Sequence, residues 1–287
     1  VSLAASRPPS GRILRLEGRA ELPDQAVLTL RLFAAQETLR EGRLEKSWRA
    51  AWTGQVTVKD RAFSVAPPAP EPGEVRVETS FRDEAQRRAV LKDLEGKIEV
   101  RQWDSVLPGW DDAHAAGLPA RFAELEAAAG DSVRWLDGVA AAVSSEEEWK
   151  SRSAALSREG EGLLLRLQAA SAFPASRTEL ERSVRTALIA GRHFAWKDGS
   201  FLGPVSYYPP LHSGEFSLAA LRRAAEGARE VAGRELALWA LKEARRGGAP
   251  SKLVAPHAAK PGFAPYAARL DAASGFDALE ADIRAGR

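Results

Sequence analysis

The feature that most constrains this chain is a change of hydrophobic period near residue 103. From about residue 12 to that point, apolar and polar residues alternate at period two, the pattern of strands buried on one face. Leu14 and Leu16 read as inward, with Arg15 and Glu17 facing water; Leu28, Leu30 and Leu32 form a second inward row. Leu22-Pro23-Asp24-Gln25 supplies the turn between the two rows, so these segments are expected to be neighbours. Further rows occur at Val56 and Val58, Phe63 and Val65, Val75 and Val77, and Ile98 and Val100. Lys59-Asp60-Arg61 reads as a tight hairpin. The run Pro67-Pro68-Ala69-Pro70-Glu71-Pro72-Gly73 lacks the N–H donors of a strand and reads as an exposed crossing. Six or seven such strands predict an antiparallel Ig-like β-sandwich over 12–104, with 83–94 as a helix-like insert.

Beyond residue 103 the spacing is helical. Segments 118–129 and 132–143 read as two short helices parted at Gly130-Asp131. Ser145-Glu146-Glu147-Glu148 is a capping box that opens a helix toward 172, weakened in its middle by Gly160 and Gly162. Ser176-Arg177-Thr178-Glu179 repeats that start signal for a helix ending near Trp196, and Ser217 opens the longest one, stopped by Gly247-Gly248. The stretch 249–266 reads as an extended proline-containing strap, and 276–283 as a last short helix. The expected fold is therefore a segregated α+β chain: a spacer at 1–11, the sandwich at 12–104, and an α-helical bundle at 105–287.

Composition narrows the chemistry. With 45% hydrophobic and 28% charged residues the chain has material for ordinary cores. Its 41 basic and 39 acidic side chains are well mixed, which argues against a nucleic-acid platform. The absence of cysteine removes disulfides, thiolate zinc sites and thiol catalysis. No apolar run is long enough for a membrane span. The opening Val1-Ser2-Leu3-Ala4-Ala5-Ser6-Arg7-Pro8-Pro9-Ser10-Gly11 reads as the spacer that follows a removed signal or anchor segment, which favours an extracytoplasmic location over the cytoplasmic alternative.

The motif search finds no phosphate loop, no dinucleotide fingerprint, no H-E-x-x-H and no nucleophile elbow. No catalytic residue, metal ligand or cofactor is expected, and Asp111-Asp112-Ala113-His114 reads as a solvated loop or a helix start. Aromatic and polar groups concentrate between two long helices, making His193, Trp196, Tyr207, Tyr208 and His212 the candidate binding residues, joined by Trp48 and Trp52 on the β-side.

The segment 13–33, with Leu22-Pro23-Asp24 leading into Val27-Leu28-Thr29-Leu30, resembles the start of bacterial envelope β-sandwiches, lipoprotein domains among them. The reading this supports is a non-catalytic interaction or structural component of an envelope or extracytoplasmic assembly, with another protein as partner. Its rivals are a hydrolase using His193 or His212 as base in a cleft between the two parts, and a carbohydrate-binding module built on Trp48, Trp52 or the Tyr207-Tyr208 pair.

Overall fold

The computed structural model describes residues 1–6, 13–68, 70, 74–94, 101–107, 112–168, 170, 172–192, 194–197, 200–204, 218–245, 255–271 and 275–287. The fold is mixed α+β with antiparallel sheets, and it divides into two compact units, Val1–Gln36 with Lys46–His114, and Glu37–Glu45 with Ala115–Arg287.

The first unit holds strands β1 (Ser2–Ser6), β2 (Arg15–Arg19), β5 (Ala62–Val65), β6 (Val75–Phe81) and β7 (Arg101–Leu107), and most of β3 (Val27–Arg40) and β4 (Arg43–Thr57). They form a three-stranded sheet in the order β1-β2-β5 and a four-stranded sheet in the order β4-β3-β6-β7. The rows of Leu14 and of Leu28 are therefore not strand neighbours as expected: β2 pairs with β1 and β5, and β3 pairs with β6 across Leu30–Thr79. They meet instead through side chains, because Leu14, Leu16 and Phe63 share one core with Leu28, Leu30, Leu32, Val75, Val77 and Phe81. Alternation sets which face is buried without specifying the strand alongside it.

Local turn chemistry follows the sequence closely. Asp60 and Arg61 both have positive φ, 52° and 58°, and Lys59 and Ala62 exchange both backbone hydrogen bonds around them. The segment 83–94 is a 3-10 turn (Asp83–Ala85) and helix α1 (Arg88–Asp93). Between them the Gln86 side chain both accepts from the Val27 N–H and donates to the Val27 carbonyl, at 2.8 Å each, standing in for a missing strand at the start of β3. Ile98, Val100 and the centre of the proline crossing lie outside the described residues.

The second unit contains α2 (Asp112–Ala142) from Ala115 onward, α3 (Glu146–Gln168), α4 (Pro174–Arg192), α5 (Leu218–Arg245), α6 (Ala264–Asp271) and α7 (Phe276–Ala285), with a two-stranded sheet of β8 (Phe194–Lys197) and β9 (Ser200–Pro204). The expected break at Gly130-Asp131 does not occur, and α2 runs through it. Phe122, Leu125, Ala129, Trp135, Leu136 and Val139 are all buried along this helix, and burial on that scale outweighs the roughly 1 kcal/mol helix cost of one glycine. The expected strap is likewise corrected, since its described part forms a 3-10 turn at Ala255–His257 and the start of α6. Backbone bonds from Lys260, Phe263 and Ala264 back to His257 and Lys260 coil the chain between them. A close crossing holds this segment on α5: a Cβ at Gly233 would collide with the Pro261 carbonyl, and one at Gly262, whose φ is +73°, with the Glu230 carbonyl.

The two glycines of α3 differ in role. A Cβ at Gly160 would come within 2.6 Å of the Trp135 ring and 2.9 Å of Leu188, whereas one at Gly162 meets nothing within 4 Å. Trp135 is buried there with its indole N–H donated to the Leu156 carbonyl at 2.8 Å. Gly160→Ala is therefore expected to destabilise the protein by about 1–3 kcal/mol through overpacking. Gly162→Ala, two residues along the same helix, should stabilise it by roughly 0.5–1 kcal/mol. Urea titration of the two variants beside the wild type checks both signs.

Candidate interaction surface

The longest strands among the described residues, β3 and β4, form one ribbon of 14 and 15 residues. They are joined by Glu41 and Gly42, whose φ values of 50° and 75° give the two-residue turn that matches strand twist. β4 is an edge of its sheet, so one row of its backbone N–H and C=O groups faces away from β3. Its side chains alternate: Ser47, Arg49, Ala51, Thr53, Gln55 and Thr57 are exposed, and Trp48, Trp52 and Val56 are half-buried on the other face. At Arg49, Ala50 and Ala51 both faces are exposed in succession. From Ala50 to Thr57 the strand carries no charge and no proline, the residues that usually blunt an edge.

Trp48 and Trp52 thus lie four apart on one face of one strand rather than between strands. The Lys46 ammonium sits 5.0 Å from the Trp48 ring and also pairs with Glu74. The Trp52 ring covers Gly54, where any Cβ would collide with it, and packs on the core shared by the two sheets. Trp196 is on β8 with Phe201 as its cross-strand partner. His193, Tyr207, Tyr208 and His212 lie outside the described residues. His257, the histidine whose side chain is described, is buried against Phe122 with Nε2 at 3.1 Å from the Pro119 carbonyl.

The tip of the ribbon belongs to the helical unit, where Leu44 joins the helical core and Leu39 packs on it. Two arginines hold it. Arg284 on α7 donates to both carboxylate oxygens of Glu37, at 2.6 and 3.2 Å, and Arg234 on α5 donates to the Gly42 carbonyl at 2.9 Å. Arg284 also binds Glu280, which in turn pairs with Arg245. Burial pulls the Glu280 carboxyl upward, but the two guanidiniums outweigh it and hold it below the usual carboxylate range.

Beside Arg234, Glu235 is 2% exposed. Its two carboxyl oxygens accept from the backbone N–H groups of Ala175 at 2.8 Å and Ser176 at 3.0 Å, satisfying the first turn of α4. The start signal read at Ser176 is therefore placed differently: α4 begins at Pro174, and the Ser176 hydroxyl donates to the Ala228 carbonyl at 2.7 Å instead of capping its own helix. Ser145 does act as expected, accepting from the Glu148 N–H at 3.1 Å. Glu235, Arg234, Glu37 and Arg284 were not among the sequence candidates. The signal available for Glu235 is its position on the apolar stripe of α5, three residues after Ala232 and one before Leu236.

Among the described residues no cluster of three or more His, Asp or Glu side chains could hold a metal ion, and no helix is long and apolar enough to cross a membrane. No family model, curated protein or solved structure matches the chain.

Burial pushes the Glu235 carboxyl up to about 8, against the Ala175 and Ser176 N–H groups, which pull it down; Glu37 adds to the rise and Arg177 opposes it. The folded state keeps this proton up to about pH 8, whereas the unfolded chain releases it near the ordinary 4.5. The group's stabilisation is thus complete below about 4.5, falls as pH rises and is lost above about 8, a change on the order of a few kcal/mol. Melting temperatures between pH 5 and pH 8 are expected to decline less steeply in Glu235→Gln than in the wild type.

Proposed function

We propose that the chain is a non-catalytic interaction or structural component of a bacterial envelope or extracytoplasmic assembly, with another polypeptide bound along β4. The observation that carries this reading is the outer edge of that strand, which is uncharged from Ala50 to Thr57. An exposed edge of this length is a template for strand addition, in which backbone hydrogen bonds supply affinity and alternate side chains supply selectivity. The buried polar groups described above serve the fold itself: Glu235 caps a helix, and Arg234 and Arg284 hold the hairpin tip.

The two sheets of the first unit form an Ig-like sandwich, segregated from the helical bundle; their shared core of Leu14, Leu16, Phe63, Leu28, Leu30 and Val77 supports this. For the compartment, a chain without cysteine tolerates oxidising surroundings, and segment 13–33 resembles envelope sandwiches.

Site-specific crosslinking in cells tests the reading. A photoreactive residue placed at Thr53 or Gln55 is expected to capture a polypeptide in the envelope fraction, and one at exposed Arg158 on α3 is not. Absence of any adduct at both β4 positions, or recovery of the protein wholly in the cytosol, would overturn it.

A further inference from the structure

The spacing of the two tryptophans on β4 has a symmetry that a single copy does not use. Trp48 and Trp52 stand equally far from Ala50 on the same face of the strand, and Ala50 is exposed. In an antiparallel pairing of two identical strands, a two-fold axis passes midway between one residue and its own copy set opposite it. With Ala50 on that axis, each Trp48 falls opposite the Trp52 of the second copy. Ser47 then faces Thr53, Arg49 faces Ala51, and Lys46 faces Gly54.

We propose that the outer edge of β4 pairs antiparallel with the β4 edge of a second copy of this chain, with Ala50 on the two-fold axis. This names one occupant for the edge on which the proposed function rests.

Three observations converge on a second copy. The first is charge. In this register no two like charges stand directly opposite, and exposed Arg49 faces Ala51. The second is the match of side chains, since large faces large in two tryptophan pairs, small faces small at the axis, and hydroxyl faces hydroxyl at Ser47 and Thr53. The third is access, because Arg49, Ala50 and Ala51 are exposed in sequence and leave both faces of the strand open at the proposed axis. The span from Lys46 to Gly54 brings nine residues of each copy together, fewer than the roughly 20–30 per side of a standard interface. A dimer in the micromolar range is therefore expected.

Sedimentation velocity on the full chain, between about 1 and about 200 µM, is the first measurement. The wild type should pass from monomer to dimer across that range. Ala50→Lys sets two ammonium groups opposite each other and should weaken the dimer at least about tenfold, whereas Ala50→Ser should keep it. Both must first show the wild-type circular dichroism and melting temperature.

A second measurement reads the register and does not depend on how Ala50→Lys folds. The chain has no cysteine, so Ala50→Cys supplies a single thiol, which should form an intermolecular disulfide under mild oxidation much faster than Thr53→Cys. A wild type that stays monomeric at every concentration overturns the proposal, as does an Ala50→Lys dimer as tight as the wild type or equal crosslinking at the two cysteine positions. A monomer in solution combined with cellular capture of a different polypeptide at Thr53 sinks the dimer and leaves the proposed function standing. Absence of both sinks the two together.

Discussion

A buried carboxyl group that reaches from the middle of α5 to the first turn of α4 governs how the helical unit is arranged. Glu235 stands in the run from Val231 to Leu238, every residue of which is buried, so α5 has helices or chain packed on all sides there. A helix start needs acceptors for its first N–H groups, and in a dry interior these must come from protein. The Glu235 carboxyl group fixes where α4 begins along α5, and the Ser176 hydroxyl, bound to the Ala228 carbonyl two helical turns earlier, fixes its rotation. Apolar packing alone tolerates sliding along the alanine-rich α5, whereas this pair of polar contacts admits one register.

The same helix extends that logic through its next charged residue. Arg234 points the other way, to the carbonyl at the hairpin turn, so one step of sequence serves two different neighbours. Nothing in the turn itself demands an arginine from α5. The hairpin tip carries a buried leucine, Leu44, and a carboxylate, Glu37, whose guanidinium partner Arg284 lies 247 residues along the chain. Such long-range pairs make the tip part of the helical core and not a free-standing projection from a sheet.

Much of this was legible in the sequence, and the failures have physical causes. The rows at Leu14, Leu28 and Val75 were read correctly as inward because alternation reports burial directly. Their pairing was misread, since a turn between two rows looks the same whether it joins strand neighbours or crosses from one sheet to the other. The Asp60-Arg61 turn was found because adjacent positive-φ residues leave a compositional trace. The Glu41-Gly42 turn carries a similar trace, yet Lys46, Arg49 and Glu45 obscure the alternation around it. Of the candidate residues, Trp48 and Trp52 prove to share one strand face, a relation that depends on knowing that 43–57 is a single strand. Helix starts were legible where the cap is local, as at Ser145, and illegible where a residue such as Glu235, 60 positions away, does the capping.

The crossing of Gly233 over Gly262 carries a consequence of another kind. Two backbones touch there with no room for a methyl group on either side. A mutation at one glycine cannot be relieved by a compensating change at the other, because each already has the smallest side chain that exists. The site therefore has no stepwise path to a different sequence, and descendants of this chain that keep the fold must inherit both glycines or abandon the crossing altogether.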